Sequence, residues 1–412
     1  MAERPTPDPM SPVLRAALAR GLTTRRALMT GAFGLGATAA LAACGSEGTG
    51  GDAASGSATK TAAAAKDLSD TEKVINWSNW TQYIDVSDDE KSRPSLDEFT
   101  KQTGIQVNYT EDYNDNDEFY AKVRPLLEGG EDTGRDVWCS TDWMVARLIR
   151  QGYVQKLDQA NIPNVKNLEE SLKNVEFDPG RVYSLPWQSG FAGIAYNLDA
   201  TGGKKVETIT QLLTDPALKG KVTLLTEMRD TVGLVLCEMG KDPSNFTDAD
   251  FDAAIAMIQK AKDAGQLKGF TGNDYTDGLT KGDIAACIAW TGDVVQLQFE
   301  NEAVQYALPQ AGFTLWSDNF VIPALAQHKK NAETLINYYY DPAVMAQVAA
   351  WVNYIPPIKG TKDVIAADDP ETAENQLIFP DEQTLSRAKV FRGLSAEEET
   401  KYNRAYSDLT AS

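Results

Sequence analysis

The stretch Val74-Ile75-Asn76-Trp77 begins an alternation of short apolar runs and helical segments that decides the fold of this chain. Two further apolar runs follow it, one at 105–109 and one at Asp136-Val137-Trp138-Cys139. Residue spacing predicts helices between and after these runs, at 95–104 with a Ser95/Glu98 capping box, at 118–127 and at 142–151. Strands that alternate with helices in this way indicate a parallel sheet covered by helices.

The same alternation starts again after Pro186 and continues to the end of the chain. Strands are predicted at 193–196, 222–225, 284–290 and 320–323, and helices at 232–239, 251–264, 332–340, 342–351 and across most of 382–409. The part of the chain that follows Thr71 has about 340 residues, which is large for one compact core. We therefore expect an α/β protein with two lobes, each a mainly parallel sheet flanked by helices. Lobe 1 is predicted to contain 73–188 plus about 293–340, and lobe 2 about 189–292 plus 341–412.

The first 43 residues have the three parts of an export leader in order. A basic pair, Arg25-Arg26, precedes an apolar run at 27–40, and Leu41-Ala42-Ala43 stands directly before Cys44. The basic pair resembles a twin-arginine signal, and the last four residues resemble the bacterial lipobox, whose cysteine is acylated. We expect a protein held at the outer face of a bacterial cell membrane through Cys44, with 44–72 as a flexible linker. The alternative is an ordinary secretory leader with a chance cysteine.

The chain is acidic, with 59 Asp and Glu against 39 Lys and Arg and a formal net charge of −20. The leader carries five Arg against one Glu and one Asp, so its removal takes the net charge to −23. Such a body is a poor partner for nucleic acid or anionic lipid, and it attracts cations. A solubilising acidic surface explains most of this charge without any ligand.

Histidine and cysteine usage narrows the chemistry. His328 is the only histidine, which argues against a Ser-His-Asp triad and against a histidine-rich zinc site. Cys139, Cys237 and Cys287 form no CxxC pair and stand among apolar residues, as small buried hydrophobes do. A disulfide between two of them is the alternative, because proteins outside the cytoplasm can form disulfides. No metal or cofactor is expected.

Aromatic residues stand beside carboxylates or small polar groups at the predicted strand ends. These segments are Trp77-Ser78-Asn79-Trp80-Thr81-Gln82-Tyr83, Ser140-Thr141-Asp142-Trp143, Thr226-Glu227-Met228-Arg229-Asp230, Trp290-Thr291-Gly292-Asp293, Trp316-Ser317-Asp318-Asn319 and Asn353-Tyr354-Ile355-Pro356. Loops at the carboxyl ends of strands line the ligand crevice of open α/β sheets. Aromatic faces favour methylenes and cations, and buried carboxylates need a cationic partner, so a linear molecule with ammonium ends suits such a crevice. For any one segment, core packing or a helix cap is an alternative explanation.

Several of these segments resemble the spermidine/putrescine-binding proteins of polyamine ABC importers. The segments are Asn79-Trp80-Thr81-Gln82-Tyr83, Phe99-Thr100-Lys101-Gln102-Thr103-Gly104-Ile105, Tyr183-Ser184-Leu185-Pro186, Gly282-Asp283-Ile284, Trp290-Thr291-Gly292-Asp293 and Trp316-Ser317-Asp318. The resemblance runs in order from about Lys73 to the tail. It implies a periplasmic-binding-protein-like fold of type II with a hinge between the lobes. It also implies a monomer that binds a polyamine between the lobes, delivers it to a membrane permease and performs no chemistry.

The resemblance also implies roles for individual residues. It assigns aromatic contacts to Trp80, Tyr83, Trp290, Trp316 and Tyr354, a polar contact to Ser140, an acidic pair on the second lobe to Glu227 and Asp230, and amine-binding carboxylates to Asp293 and Asp318. Two positions depart from the family pattern. Gln82 stands where members often have Asp or Glu, and Asp142 stands where an aromatic or small residue is common. Asp142 either replaces the missing charge or caps its helix.

Two other functions fit parts of the sequence. A binding protein for an amino acid, a betaine or a sugar would share the fold, although a sugar site would need more Asn, Gln and Arg and fewer acids. A secreted glycosidase would use Trp platforms and two of the carboxylates. The two-lobe pattern and the surplus of acids over two catalytic roles argue against the glycosidase.

Overall fold

The computed structural model describes residues 65–87 and 91–411. The expected leader, the lipobox with Cys44 and most of the expected linker lie outside the described residues. Within the described part of the chain, no helix is both long enough and apolar enough to cross a membrane. Cys139, Cys237 and Cys287 are buried free thiols.

The strands and helices follow the predicted alternation. The strands are β1 (Val74–Trp80), β2 (Gln106–Tyr113), β3 (Val137–Thr141), β4 (Asn174–Val175), β5 (Asp178–Pro179), β6 (Ser184–Asn197), β7 (Val222–Leu225), β8 (Leu267–Thr271), β9 (Ala286–Trp290), β10 (Val304–Ala307), β11 (Phe313–Val321) and β12 (Ala388–Lys389). The α-helices are α1 (Pro94–Thr103), α2 (Asn116–Gly129), α3 (Asp142–Gln151), α4 (Ile209–Thr214), α5 (Met228–Glu238), α6 (Asp248–Asp263), α7 (Tyr275–Lys281), α8 (Thr291–Glu300), α9 (Lys329–Tyr339), α10 (Pro342–Val352), α11 (Thr361–Asp368), α12 (Pro370–Ala373), α13 (Glu382–Arg387) and α14 (Ala396–Ala411).

The strands form one ten-stranded sheet and a small hairpin of β4 and β5. The order along the large sheet is β2-β1-β3-β11-β6-β9-β7-β8, with β10 beside β6 and β12 beside β11. Pairing is parallel at both ends, among β1, β2 and β3 and among β7, β8 and β9. The two central strands are antiparallel to their neighbours β3 and β9 and to each other. The prediction of two mainly parallel α/β units is confirmed.

Strands β6 and β11 pass from one unit to the other. All fourteen residues of β6 are buried; its first half pairs with β11 and its second half with β9. The last residues of β11 pair with β3, and its first residues pair with β12. Only 320–323 is predicted as a strand from sequence. The polar segment Trp316-Ser317-Asp318-Asn319 extends it, because two distant strands supply its hydrogen-bond partners.

The side chains pack into separate cores on the two sides of these central strands. Lobe 1 is built around Trp77 and Phe320, and lobe 2 around Phe251 and Ile288. Two helices pack differently from the expected division of the chain. Helix α10, expected in lobe 2, contributes Met345, Val348 and Val352 to the core of lobe 1. Helix α8, expected in lobe 1, contributes Val294 and Leu297 to the core of lobe 2. The sequence does not predict which lobe these two helices join, because that depends on the points at which the chain passes from one lobe to the other.

Two local expectations at the N-terminal side are corrected. The residue at the N-cap of α1 is Arg93, whose side chain makes no capping hydrogen bond. Ser95 lies inside the helix, and its backbone N donates to the Asp85 carboxylate at 2.9 Å. The expected linker is also shorter than predicted. Leu68 N donates to Gln327 O at 2.7 Å and Ser69 Oγ accepts from Asn331 N at 3.1 Å, so the residues just before β1 pack on lobe 1.

Candidate functional site

A cavity of about 910 Å³ lies between the two lobes, where strands from both lobes end. We call it the interlobe cavity. Ten of the eleven binding residues predicted from sequence line it: Trp80, Tyr83, Asp142, Glu227, Asp230, Trp290, Asp293, Trp316, Asp318 and Tyr354. The eleventh, Ser140, does not. It is fully buried, and its hydroxyl is 2.9 Å from Tyr113 Oη. Successive side chains of a strand point to opposite faces, so Thr141 reaches the cavity in its place.

Asp318 is the acidic group of the central strand β11. Its Oδ1 accepts a hydrogen bond from Thr141 Oγ1 at 2.7 Å, which fixes the carboxylate at the lobe 1 side of the cavity. Only 4% of Asp318 is exposed. Burial raises the pKa of this carboxyl to about 7, more than the hydrogen bond from Thr141 lowers it. A cation bound beside Asp318 would therefore stabilise its charged form in place of the missing water.

Asp293 is the acidic group that lobe 2 provides opposite. It lies in the first turn of α8, where helix N-terminal N–H groups favour a negative charge. Three side chains donate to it: Asn273 Nδ2 at 2.9 Å, Tyr275 Oη at 2.7 Å and Tyr354 Oη at 3.0 Å. Because Tyr354 follows helix α10 of lobe 1, this hydrogen bond also joins the two lobes. These three donors hold the carboxylate in place in the wall of the cavity.

Asp230 fixes an aromatic wall of the cavity. Its Oδ2 accepts from Trp290 Nε1 at 2.8 Å and its Oδ1 from Thr314 Oγ1 at 2.7 Å. Burial raises the pKa of Asp230, and these two hydrogen bonds oppose the rise. Each carboxylate oxygen therefore already has a protein donor. Asp230 orients the indole of Trp290 as well as adding negative charge to the cavity.

Glu227 is the N-cap residue of α5 and lies beside the guanidinium group of Arg229 in the same lobe. Its carboxylate accepts from the backbone N of Arg229 at 3.0 Å, and the Arg229 guanidinium is 3.6 Å away. Burial nevertheless raises the pKa of Glu227 to about 8. The Arg229 guanidinium lies 3.6 Å from the ring centroid of Trp143, on lobe 1, which is a cation–π contact across the cavity.

Asp142 is the first residue of α3 and is bound by a neighbouring strand. Its Oδ1 accepts from Asn319 Nδ2 at 2.7 Å, and Asn319 Oδ1 accepts from Arg181 at 2.9 Å. Burial raises the pKa of Asp142 to about 6. The residue that precedes the helix is Thr141, without a capping side-chain bond. Asp142 therefore does not occupy the N-cap position of helix α3. Gln82, the other departure from the family pattern, lines the cavity at a positive φ of 56°.

The aromatic walls depend on two glycines that leave room for rings. Tyr354 packs edge-on against Tyr83 and Trp316, with ring centroids 5.4 Å apart in both pairs. A Cβ on Gly292 would lie 2.4 Å from the Tyr354 ring, and a Cβ on Gly190 would lie 2.6 Å from the Trp316 ring. The glycine between Trp290 and Asp293 thus lets the tyrosine approach the carboxylate it donates to.

The cavity as a whole is acidic. Its lining includes seven carboxylates (Asp115, Asp142, Glu176, Glu227, Asp230, Asp293, Asp318) and four guanidinium groups (Arg150, Arg181, Arg229, Arg392). Three of these arginines form ion pairs with Glu398 or Glu399, which are not themselves in the lining. Among the residues that the structure describes, no three His, Cys, Asp or Glu side chains are grouped to hold a metal ion. The seven carboxylates outnumber the four guanidinium groups of the lining, so the cavity attracts cations.

Sequence reasoning missed the residues that hold these acids in place. They are Thr141, Asn273, Tyr275, Thr314 and Asn319. Asn273 and Tyr275 follow the end of strand β8, which is the position where ligand-binding residues are expected. They were missed because β8 itself was not predicted. Thr314 and Asn319 stand on a strand that was predicted too short, and only its pairing brings them to the cavity.

The sequence is similar to known bacterial proteins over most of its length. The family described as bacterial extracellular solute-binding protein matches residues 95–379. The putrescine-binding periplasmic protein PotF of Escherichia coli (strain K12) is 30% identical over 341 residues, which are 79% of this chain and 87% of that protein. The spermidine/putrescine-binding periplasmic protein of the same organism is 26% identical over 342 residues, 83% of this chain and 93% of that protein.

Solved structures have the same fold. The substrate-binding protein PotD of a spermidine/putrescine ABC transporter from Streptococcus pneumoniae superposes with a TM-score of 0.68 at 24% identity, over 82% of this chain and 99% of that one. The TpPotD lipoprotein of Treponema pallidum superposes with a TM-score of 0.69 at 22% identity, over 82% and 100%. At this identity the superpositions establish the fold alone.

Proposed function

The chain belongs to the bacterial extracellular solute-binding proteins, and we propose that it captures polyamines such as putrescine or spermidine for an ABC importer. Relatives that match most of the chain carry putrescine or spermidine in their names. The observation on which the proposal mainly depends is the opposed pair of carboxylates, Asp293 from lobe 2 and Asp318 from lobe 1. Both face one cavity between aromatic walls.

Burial takes the carboxylate of Asp318 out of water. A carboxylate that loses water is costly unless a cation and hydrogen bonds replace that water. Hydrogen bonds hold Asp318 and Asp293 in place, and burial raises the pKa of Asp318, so its charged form is stabilised when a cation binds beside it. A molecule with two ammonium groups supplies both charges at once. Its methylenes suit the rings of Trp290, Trp316 and Tyr354.

The free energies of these contacts can be compared with the value that micromolar binding requires. A charge-assisted hydrogen bond contributes about 1.5–3 kcal/mol, and a cation–π contact about 0.5–2 kcal/mol. Micromolar binding requires a net free energy of about 8 kcal/mol. Two amine–carboxylate contacts and two or three aromatic contacts add up to about 4–12 kcal/mol, a range that includes this value before the cost of ordering the ligand is subtracted.

We further propose that ligand capture is a hinge closure of the two lobes on the strands β6 and β11. These strands are shared by both lobes, so bending them brings Asp293 and Asp318 towards each other. In this view Trp80, Tyr83 and Asp318 act from lobe 1, and Trp290 and Asp293 from lobe 2. No bond of the ligand is made or broken, and the closed protein delivers it to a membrane permease.

We also propose that Cys44 carries a lipid anchor that holds the protein at the outer face of the membrane, where it acts as a monomer. The contacts of Leu68 and Ser69 with the segment that opens α9 support a tether that joins the body on lobe 1. Lobe 2 would then be the lobe that moves relative to the anchor.

A ligand panel tests the proposal directly. Thermal unfolding and titration calorimetry with putrescine, spermidine, cadaverine, amino acids, glycine betaine and sugars separate the candidate solutes, because a ligand raises the unfolding temperature by mass action. We expect a rise for diamines or triamines and little change for sugars. No heat with any amine, together with a clear response to an amino acid or a sugar, would contradict the proposal.

A further inference from the structure

The lining of the interlobe cavity also includes apolar side chains outside the acidic and aromatic segments. Six of them are Leu172, Val175 and Phe177 from lobe 1 and Leu385, Val390 and Phe391 from the segment before α14. We call this surface the apolar arm. Its lobe 1 side is the region of the β4–β5 hairpin, and its other side is the chain that leaves β12.

The pairing of β12 places the apolar arm beside the amine site. Ala388 pairs with Phe313 and Lys389 with Thr314 in parallel register. The next residues, Val390 and Phe391, therefore run past the edge of β11 near Leu315 and Trp316. Strand β3 covers that edge only from Asp318 onwards. The apolar arm thus opens from the stretch of β11 that carries Trp316 and Asp318.

Exposure supports a ligand-binding role for this surface. Within the described residues, the large hydrophobic side chains that are exposed are Val364, Leu385 and Val390, at 40%, 44% and 51%. Two of the three lie in the apolar arm. Apolar surface that faces a cavity and stays open to water gains free energy when an apolar group covers it.

The two arginines near the apolar arm are bound by the protein, whereas Glu176 of the β4–β5 hairpin is an exposed carboxylate in the same lining. Arg181 Nε donates to Leu172 O at 2.6 Å, and its Nη1 donates to Asn319 Oδ1 at 2.9 Å. Arg392 Nη2 donates to Glu398 Oε1 at 2.7 Å, and its guanidinium lies 4.4 Å from the Phe246 ring centroid. The Arg181 guanidinium also lies 5.5 Å from the Phe177 ring centroid and covers one face of that ring, so the open apolar surface is that of Leu385 and Val390. The volume of about 910 Å³ is near the upper end of the usual range for sites that enclose drug-sized ligands.

We propose that the preferred ligand is an amine that carries an apolar alkyl or aryl substituent on one nitrogen. The inference rests on the proposed function for the ammonium end, which lies between Asp293 and Asp318. The substituent lies in the apolar arm, against the exposed side chains of Leu385 and Val390. Each methylene group that becomes buried strengthens binding roughly fourfold.

The experiment compares putrescine with N-benzylputrescine by titration calorimetry on the full protein. We expect the substituted amine to bind at least tenfold more tightly. Val390→Ser and Leu385→Ser should each weaken N-benzylputrescine about five- to tenfold and leave putrescine within twofold. Both residues are exposed, so these variants should fold. Val364→Ser is the matched control, because it removes an equally exposed side chain outside the cavity and should change neither affinity.

Each outcome decides a different point. Putrescine that binds as tightly as or more tightly than N-benzylputrescine overturns the inference and leaves the proposed function intact. An equal loss for both amines in Val390→Ser also overturns it, because the side chain then acts in lobe closure. If neither amine binds to the unchanged protein, the proposed function fails, and this inference fails with it.

Discussion

Arg147 on lobe 1 and Glu399 on lobe 2 form an ion pair across the cavity mouth, with Nη2 and Oε1 3.0 Å apart. Glu399 also binds Arg150 of lobe 1 at 2.9 Å and Arg229 of its own lobe at 3.3 Å. About 10% of the Arg147 and Glu399 side chains is exposed, so these charges are well shielded from water. One carboxylate thus compensates guanidinium groups of both lobes.

Glu399→Gln should loosen the contact between the lobes, because it leaves shielded arginines without their common carboxylate. We expect ligand to dissociate five- to twentyfold faster in stopped-flow fluorescence, with a smaller change in the association rate. Glu397→Gln makes the same charge change in the first turn of the same helix, at an exposed residue for which no cross-lobe contact is found, and serves as control. Equal dissociation rates in the two variants would show that Glu399 does not hold the lobes together.

Gly292→Ala tests why a glycine separates Trp290 from Asp293. The added methyl group would meet the Tyr354 ring at 2.4 Å, so the ring must move away from the carboxylate it donates to. We expect putrescine affinity to fall at least tenfold. Gly269→Ala is the control, because nothing lies within 4 Å of a Cβ there. Unchanged affinity in Gly292→Ala would mean that the Tyr354–Asp293 hydrogen bond has no part in binding.

Asp293→Asn and Asp318→Asn test the two proposed ammonium contacts. Each substitution keeps the size of the side chain and removes one charge, which should weaken diamine binding about tenfold or more. The double variant should lose about a hundredfold, as measured by calorimetry, because the two carboxylates act on different ends of the ligand. Asp368→Asn, at the end of α11 and outside the cavity lining, controls for the change in net charge. A double variant that binds as tightly as the unchanged protein would refute the assigned roles.

The raised pKa of Asp318 predicts opposite effects of pH on the free and the bound protein. The free folded protein holds a proton on Asp318 up to about pH 7, whereas the unfolded chain releases it near 3.8. Asp318 therefore stabilises the free fold as the pH falls from about 7 towards 4, and this contribution is lost as the pH rises through 7.

Ammonium binding requires the charged carboxylate, so diamine affinity should fall as the pH drops below about 7. Thermal unfolding with and without putrescine from pH 5 to 8 measures both effects. The shift in unfolding temperature that putrescine causes should grow with pH. Asp318→Asn should flatten this dependence, and an unaltered pH dependence in that variant would assign it to another group.

Much of the fold could be predicted because its signals are local. Helix α3 ends at Gly152, which adopts a φ of 72°, as a glycine that ends a helix usually does. Helix α10 begins with Asp341 as cap and Pro342 in its first turn, again from neighbouring residues. Strand β11 could not be predicted in full, since its polar residues become a strand only when β3 and β6 lie on either side.

The candidate site was predicted in its residue types more fully than in its detailed contacts. Acidic and aromatic residues at strand ends indicated a cation-binding crevice, and ten of the eleven named residues line one cavity. The exception, Ser140, shows the reason for the error. Neighbouring residues of one strand point to opposite faces, and sequence patterns do not tell which face is covered by helix α2 and which meets the other lobe.

By itself, the sequence determined the alternation of strands and helices, the acidic charge, and the aromatic and acidic segments that resemble polyamine-binding proteins. Each of these depends on composition or on residues within a few positions of one another. Only the tertiary structure decided which lobe α8 and α10 join, how Tyr354 of one lobe reaches Asp293 of the other, and that Glu399 binds arginines of both. Those relations depend on the pairing of β6 and β11, which brings together residues more than a hundred positions apart in the chain.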